Sequence, residues 1–181
     1  MTISYICKEV ERVKHRYDEA DPLRLTKAMG ILVQYGSFGI SEHSCKGFYF
    51  YCSRKRAIII NSDLPDMMQR VVLAHEIGHA ILHRETVKLH AFQEVSLYDA
   101  TSQYEYEANI FAAEYLLNDQ EILEKLNESG SFFNLAAELS IPPEVLDFKF
   151  RILKSKGILQ ADSPILANSD FLKDVAYPKE C

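Results

Sequence analysis

Two histidines and a glutamate stand out in His75-Glu76-Ile77-Gly78-His79, because no other ionisable residue interrupts the apolar stretch 71–82. A helix that is apolar on every side is a buried helix. Ionisable groups in such a helix need partners, since burying them unpaired is costly. On an α-helix, positions i and i+4 lie about 40° apart on one face, so His75 and His79 can aim both imidazoles at one point. Zinc accepts neutral histidine nitrogen, and a catalytic zinc site takes three protein ligands and leaves one position open for water. Glu76 sits on the flank of that face. It can reach the attacking water without ligating the metal, as a general base must. The chemistry implied is metal-assisted hydrolysis.

The third ligand has to come from elsewhere. Position 85, six residues past His79, is Glu85, so the chain lacks a third histidine at that spacing. His83 continues the same helix face one turn further on and is assigned a supporting or packing role. The remaining solution is a carboxylate from a second helix, as in gluzincin-type sites. The segment 103–117 has helical patterning and offers Glu105, Glu107 and Glu114. Glu105 shares a face with Ala108, Asn109 and Ala112, small residues that let two helices approach closely. Asn109 on that side could hydrogen-bond a ligand. Glu107 falls on the face of Phe111 and Glu114. Glu105 is therefore taken as third ligand and Glu107 as its competitor; the loser is expected to be a solvated surface carboxylate.

The elements that must carry these residues follow from patterning. Helices are expected at 7–20 and 22–29, the second behind an Asp21-Pro22 cap, then a strand at 31–35. Runs at 47–52 and 57–60 read as a hairpin. The metal helix should cover 65–84, and 85–102 reads as a long loop. Helices then follow at 103–117, 119–127, 132–139 and 144–154, and the tail from 157 is weakly patterned. The class is α+β, with a small sheet beside a buried metal helix. The expected division is 1–117 for the metal-bearing domain, 118–157 for a helical subdomain and 158–181 for a tail.

Composition narrows the setting. The chain has 181 residues, 48% hydrophobic and 25% charged, with a formal net charge of −6. That supports one well-covered core and no global basic field for nucleic acid. No apolar run approaches the roughly 20 residues that span a bilayer, and the start lacks a secretory pattern. Cys7, Cys45, Cys52 and Cys181 are scattered, which reads as reduced thiols in a cytoplasmic protein.

Taken together, His75-Glu76-Ile77-Gly78-His79-Ala80-Ile81-Leu82-His83 and Glu105-Tyr106-Glu107-Ala108-Asn109-Ile110-Phe111-Ala112-Ala113-Glu114-Tyr115-Leu116-Leu117 resemble the ImmA/IrrE family of metallopeptidases. Asn118-Asp119 stands where that family usually continues with Met-Pro. The resemblance implies a minimal zincin-like fold. It also implies cleavage of a helix-turn-helix transcriptional repressor, relieving repression under stress or DNA damage in phages and other mobile elements. The competing reading is a non-catalytic, metal-containing regulator that binds a repressor or DNA; an intact Glu76 favours the enzyme.

Three further expectations concern the surroundings of the site. His90, Tyr98, Tyr104 and Tyr106 are candidates to stabilise the tetrahedral oxygen. The strand 57–60 could pair an extended substrate. The helices 132–139 and 144–154 have helix-turn-helix proportions. The second opens on Pro143, Glu144 and Asp147, however, with Lys149, Arg151, Lys154 and Lys156 only later, which argues for packing or partner docking over DNA binding.

Overall fold

The computed structural model describes residues 1–41, 44–52, 54–84, 98–129 and 131–172. Among them run α1 (Ile3–Tyr17), α2 (Pro22–Met29), β1 (Leu32–Gly36), β2 (Gly47–Cys52), β3 (Lys55–Asn61), α3 (Asp66–Leu82), α4 (Tyr98–Leu116), α5 (Asp119–Ser129), α6 (Phe132–Glu138), α7 (Pro143–Ser155) and a 3-10 turn at Ser169–Leu172. The architecture is α+β, as the pattern predicts.

Local chemistry sets the boundaries. The Thr2 hydroxyl accepts from Tyr5 N at 3.3 Å and starts α1 four residues earlier than expected. Ile6, Val10 and Val13 then give α1 one buried stripe. Asp21 caps α2 by accepting from Arg24 N at 3.0 Å, Pro22 occupies its first turn, and Gly30 closes it at φ 67°. The helix α4 starts at Tyr98, five residues before the expected Gln103. Its first residues, Tyr-Asp-Ala-Thr-Ser, carry no apolar period, which is why they read as loop. The rest of that expected loop, 85–97, lies outside the described residues.

The three strands form one sheet of order β1-β3-β2. The expected hairpin is present: β2 runs antiparallel to β3, pairing Gly47 with Ile60 and Cys52 with Lys55. The strand β1 lies parallel on the other side, Leu32 opposite Ala57 and Gly36 opposite Asn61. The central strand therefore has both edges filled, so the expected pairing of a substrate with 57–60 does not hold. Gly47 is required by packing: a Cβ there would stand 2.6 Å from Val72 Cγ1 and 2.9 Å from the Ile59 carbonyl. That contact seats β2 directly on α3.

Buried side chains from α1 to Leu172 join in a single hydrophobic cluster that includes Ile58, Ile77, Phe111, Leu146 and Phe148. The C-terminal helices are also tied in by charge. Lys149, 1% exposed, donates to Glu114 at 2.6 Å and pairs with Asp119, while Lys156 reaches Glu114 at 2.6 Å and Asp119 at 2.7 Å. Arg151 binds Asp147 at 2.6 Å, and Lys154 binds Asp162. Each basic residue of α7 and its C-cap thus holds an internal carboxylate. No helix among the described residues is long and apolar enough to cross a membrane.

Candidate metal centre

The helices α3 and α4 pack face to face, and one glycine sets how close they come. A Cβ on Gly78 would lie 3.2 Å from Ala108 Cα and 3.3 Å from its carbonyl oxygen. With glycine opposite alanine, the backbones approach closely enough for a glutamate on α4 to reach two histidines on α3. Glu105 does so: its carboxylate stands 3.2 Å from His75 Nε2 and 3.5 Å from His79 Nε2. The two Nε2 atoms are 3.0 Å apart. Among the described residues, this trio is the cluster whose ligand-type atoms all converge.

Those distances allow a test of fit. Zinc bonds of about 2.0–2.2 Å at tetrahedral angles place neighbouring ligand atoms about 3.3 Å apart. The Nε2 pair stands 3.0 Å apart and Glu105 meets it with both oxygens, Oε2 at 3.2 Å from His75 and Oε1 at 3.5 Å from His79, separations of the size that ligands of one zinc ion have. The donor set, two imidazoles and one carboxylate, is that of a hydrolytic zinc site. For Glu105, burial alone would raise the carboxyl, but the hydrogen bonds and charge of His75 and His79 outweigh it and hold the group far below the usual carboxylate range.

The outer partners of the histidines decide which nitrogens carry protons. His75 Nδ1 lies 2.8 Å from Asn109 Oδ1, and Asn109 Nδ2 donates to the Ser169 carbonyl at 2.7 Å. With the amide nitrogen committed to Ser169, the amide oxygen faces His75, so Nδ1–H donates and Nε2 keeps its lone pair. His79 is held in the same sense from another direction. Its Nδ1 lies 3.0 Å from His83 Nδ1, and His83 Nε2 lies 2.9 Å from Glu107 Oε2. Burial first, and the neighbouring His79 second, push the His83 imidazole down to about 4, against the pull of Glu107. A neutral His83 that donates from Nε2 to Glu107 must accept at Nδ1. His79 then donates from Nδ1, leaving its Nε2 lone pair beside that of His75. Two facing lone pairs and a carboxylate repel one another unless a cation lies between them.

Glu107 is not the solvated carboxylate expected of the competitor. It is 2% exposed and bonded to His83, to Gln103 Nε2 at 3.0 Å and to the amino group of Met1. Burial would raise its carboxyl, but these donors hold it below the usual value. The helical wheel of α4 misplaced it because the wheel shows neither α1 nor the end of α3, which close over that side. Asn109, expected from the sequence to hydrogen-bond a ligand, bonds the candidate ligand His75. The direct role of His83 in orienting His79 was left open there, and only spacing hinted at it.

Glu76 lies 6% exposed in the middle of α3, directly after His75. Of the oxygen-stabilising candidates, Tyr104 packs its ring 4.7 Å from that of His83. Tyr106 turns instead to α7, edge-on to Phe148 at 5.8 Å with the Arg151 guanidinium over its ring. His90 and the side chain of Tyr98 lie outside the described residues.

Known proteins place this geometry in context. The model of the IrrE N-terminal-like domain, peptidase M78, matches residues 26–151, a span that contains α3, α4 and the whole trio. Immunity region protein 2 of Bacillus phage phi105, uncharacterized, is 31% identical over 140 residues, covering 77% of this chain and 85% of that protein. The metallopeptidase ImmA of Bacillus subtilis strain 168 is 34% identical over 95 residues, 51% of this chain and 53% of ImmA. With the matched span running through both metal-site helices and well over half of the sequence, the chain belongs to the ImmA/IrrE family of metallopeptidases.

Proposed function

We propose that this chain is a zinc-dependent endopeptidase of the cytoplasm that cleaves a helix-turn-helix transcriptional repressor. Cleavage relieves repression in phage or mobile-element regulation under stress or DNA damage. The observation that carries the peptidase reading is the trio of His75, His79 and Glu105, whose ligand-type atoms converge, the two Nε2 atoms 3.0 Å apart and each 3.2–3.5 Å from a Glu105 oxygen. The substrate class draws on the family and on the printed names of the two relatives, an immunity region protein and ImmA.

His75, His79 and Glu105 would hold the metal. Zinc bound there supplies a Lewis acid that polarises the scissile carbonyl and acidifies water. Glu76, at the flank of the ligand face, takes the proton of the attacking water and delivers it to the departing amine. The buried, apolar walls of α3 and α4 keep bulk water from screening that transfer. Since β3 is filled on both edges, an extended substrate segment pairs with the outer edge of β2, the strand seated on α3. Every basic residue of α7 and its C-cap is already bound to a carboxylate, which supports a packing role for that helix and not DNA reading.

The test is incubation of the zinc-loaded chain with the repressor encoded beside its gene. Two repressor fragments, abolished by a chelator and restored by zinc, are expected. Intact repressor held in a stable complex would refute cleavage and favour a regulator that acts by binding.

A further inference from the structure

Asn109 orients His75 only if its amide points the right way, and an amide is two-faced. Turned over, it would present its NH2 group to His75 Nδ1, favour the tautomer protonated at Nε2, and block the atom that faces Glu105 and His79. The residue that settles the choice lies beyond the family-matched span 26–151. It is Ser169, whose backbone carbonyl accepts from Asn109 Nδ2 at 2.7 Å and can accept only from the NH2 end.

That carbonyl is firmly placed. Asp147 Oδ2 accepts from Ala167 N at 3.1 Å, and Arg151 donates to the Ala167 carbonyl at 2.9 Å. Asp147 and Arg151 are themselves paired, so one fork on α7 grips the backbone two residues before Ser169. After it, Phe171 stacks on Phe148 at 5.8 Å, and Leu172 is buried. The segment 167–172 is thus a strap fastened to α7 at both ends and hydrogen-bonded to α4 in the middle.

We infer that this strap is a positioning element of the metal site: the Ser169 carbonyl fixes the Asn109 amide, which keeps His75 Nε2 unprotonated and free to ligate. The C-terminal helix α7 has its role here as the anchor of the strap. The inference rests on the reading of His75 as a metal ligand.

The test is a double-mutant cycle read by zinc affinity in competition with a chelating dye. One arm releases the strap with Phe171→Ala and Leu172→Ala. The other is Asn109→Asp, whose carboxylate accepts from His75 whichever way it turns and so needs no strap. Releasing the strap should weaken zinc binding roughly 10-fold or more in the Asn109 background. In the Asn109→Asp background the same change should stay within about twofold. Equal weakening in both backgrounds, or none in the first, would overturn the inference. Should the strap-released chain fail to fold, the single Phe171→Ala replaces it in the cycle. The native metal-free chain also gives a direct readout: the 15N spectrum of His75 should show the Nδ1–H tautomer, and a dominant Nε2–H tautomer would overturn the proposal. A native chain that binds no zinc would instead refute the metal site itself.

Discussion

The Nδ1 atoms of His79 and His83 lie 3.0 Å apart, one turn along the same helix, and Glu107 takes up the far nitrogen of His83. Of two facing ring nitrogens only one can carry the proton in a neutral pair, and Glu107 settles which. The Nε2 of His79 is thereby left open toward the trio by a residue that itself points away from it.

Replacing His83 with Phe should keep the packing against Tyr104 and remove the acceptor. Zinc affinity should fall roughly 10–100-fold with the fold retained. The measurement is dye competition beside circular dichroism, and unchanged affinity would mean that His83 only packs.

The two glutamates of α4 should separate cleanly. Glu105→Ala removes a proposed ligand and should leave the purified chain without stoichiometric zinc. Glu107→Gln can still accept from His83 Nε2–H through its amide oxygen, so it should retain zinc. Metal analysis of both proteins decides; zinc retained by Glu105→Ala and lost by Glu107→Gln would reverse the assignment.

Gly78→Ala should improve helix propensity by about 1 kcal/mol yet weaken the site. The added methyl meets the Ala108 backbone at 3.2–3.3 Å, which cannot swing aside, so α4 must move away from α3. Because Glu105 rides on α4, zinc affinity should drop more than thermal stability does. An affinity equal to that of the native chain would show that the helices have room to spare.

The charge cluster predicts a pH window. Burial alone would raise the Asp119 carboxyl, but Lys149 and Lys156 hold it below its ordinary value, and Lys156 is in turn held above its own against the effect of burial. A lowered carboxylate contributes stability above the unfolded value, near pH 4, and loses it as pH falls through the folded value. A raised lysine contributes below about pH 10.4 and loses it as pH rises further. Asp119→Asn with Lys156→Met should therefore be less stable than the native chain between these limits, with the gap closing at both ends. Lys149→Met, which leaves buried Glu114 and partly exposed Asp119 with Lys156 between them, should cost about 3–5 kcal/mol. Thermal unfolding across pH checks both; a gap that does not change with pH would remove the charge account.

The metal helix was legible because its chemistry is local: three polar residues at fixed spacing in an apolar stretch admit few readings. Glu105 was legible through the small residues on its face, which told where the second helix could come close. Glu107 was not, because burial on the opposite side of α4 depends on α1 and His83 arriving from distant parts of the chain. The hairpin β2–β3 is likewise local, whereas the parallel pairing of β1 that fills the second edge of β3 follows from topology. The Ser169 contact could not be read at all, since it is made by a backbone carbonyl that every residue carries. What patterning could not see was how weakly periodic residues past 157 would be gripped by Asp147 and Arg151.

The central claim is that Glu76 works as a base beside a zinc site that does not need it for binding. The direct measurement is repressor cleavage by native and Glu76→Gln chains of verified, equal zinc content. The account predicts full zinc occupancy in both and a loss of at least about 100-fold in cleavage rate for Glu76→Gln. Equal cleavage by the two zinc-loaded proteins would contradict it.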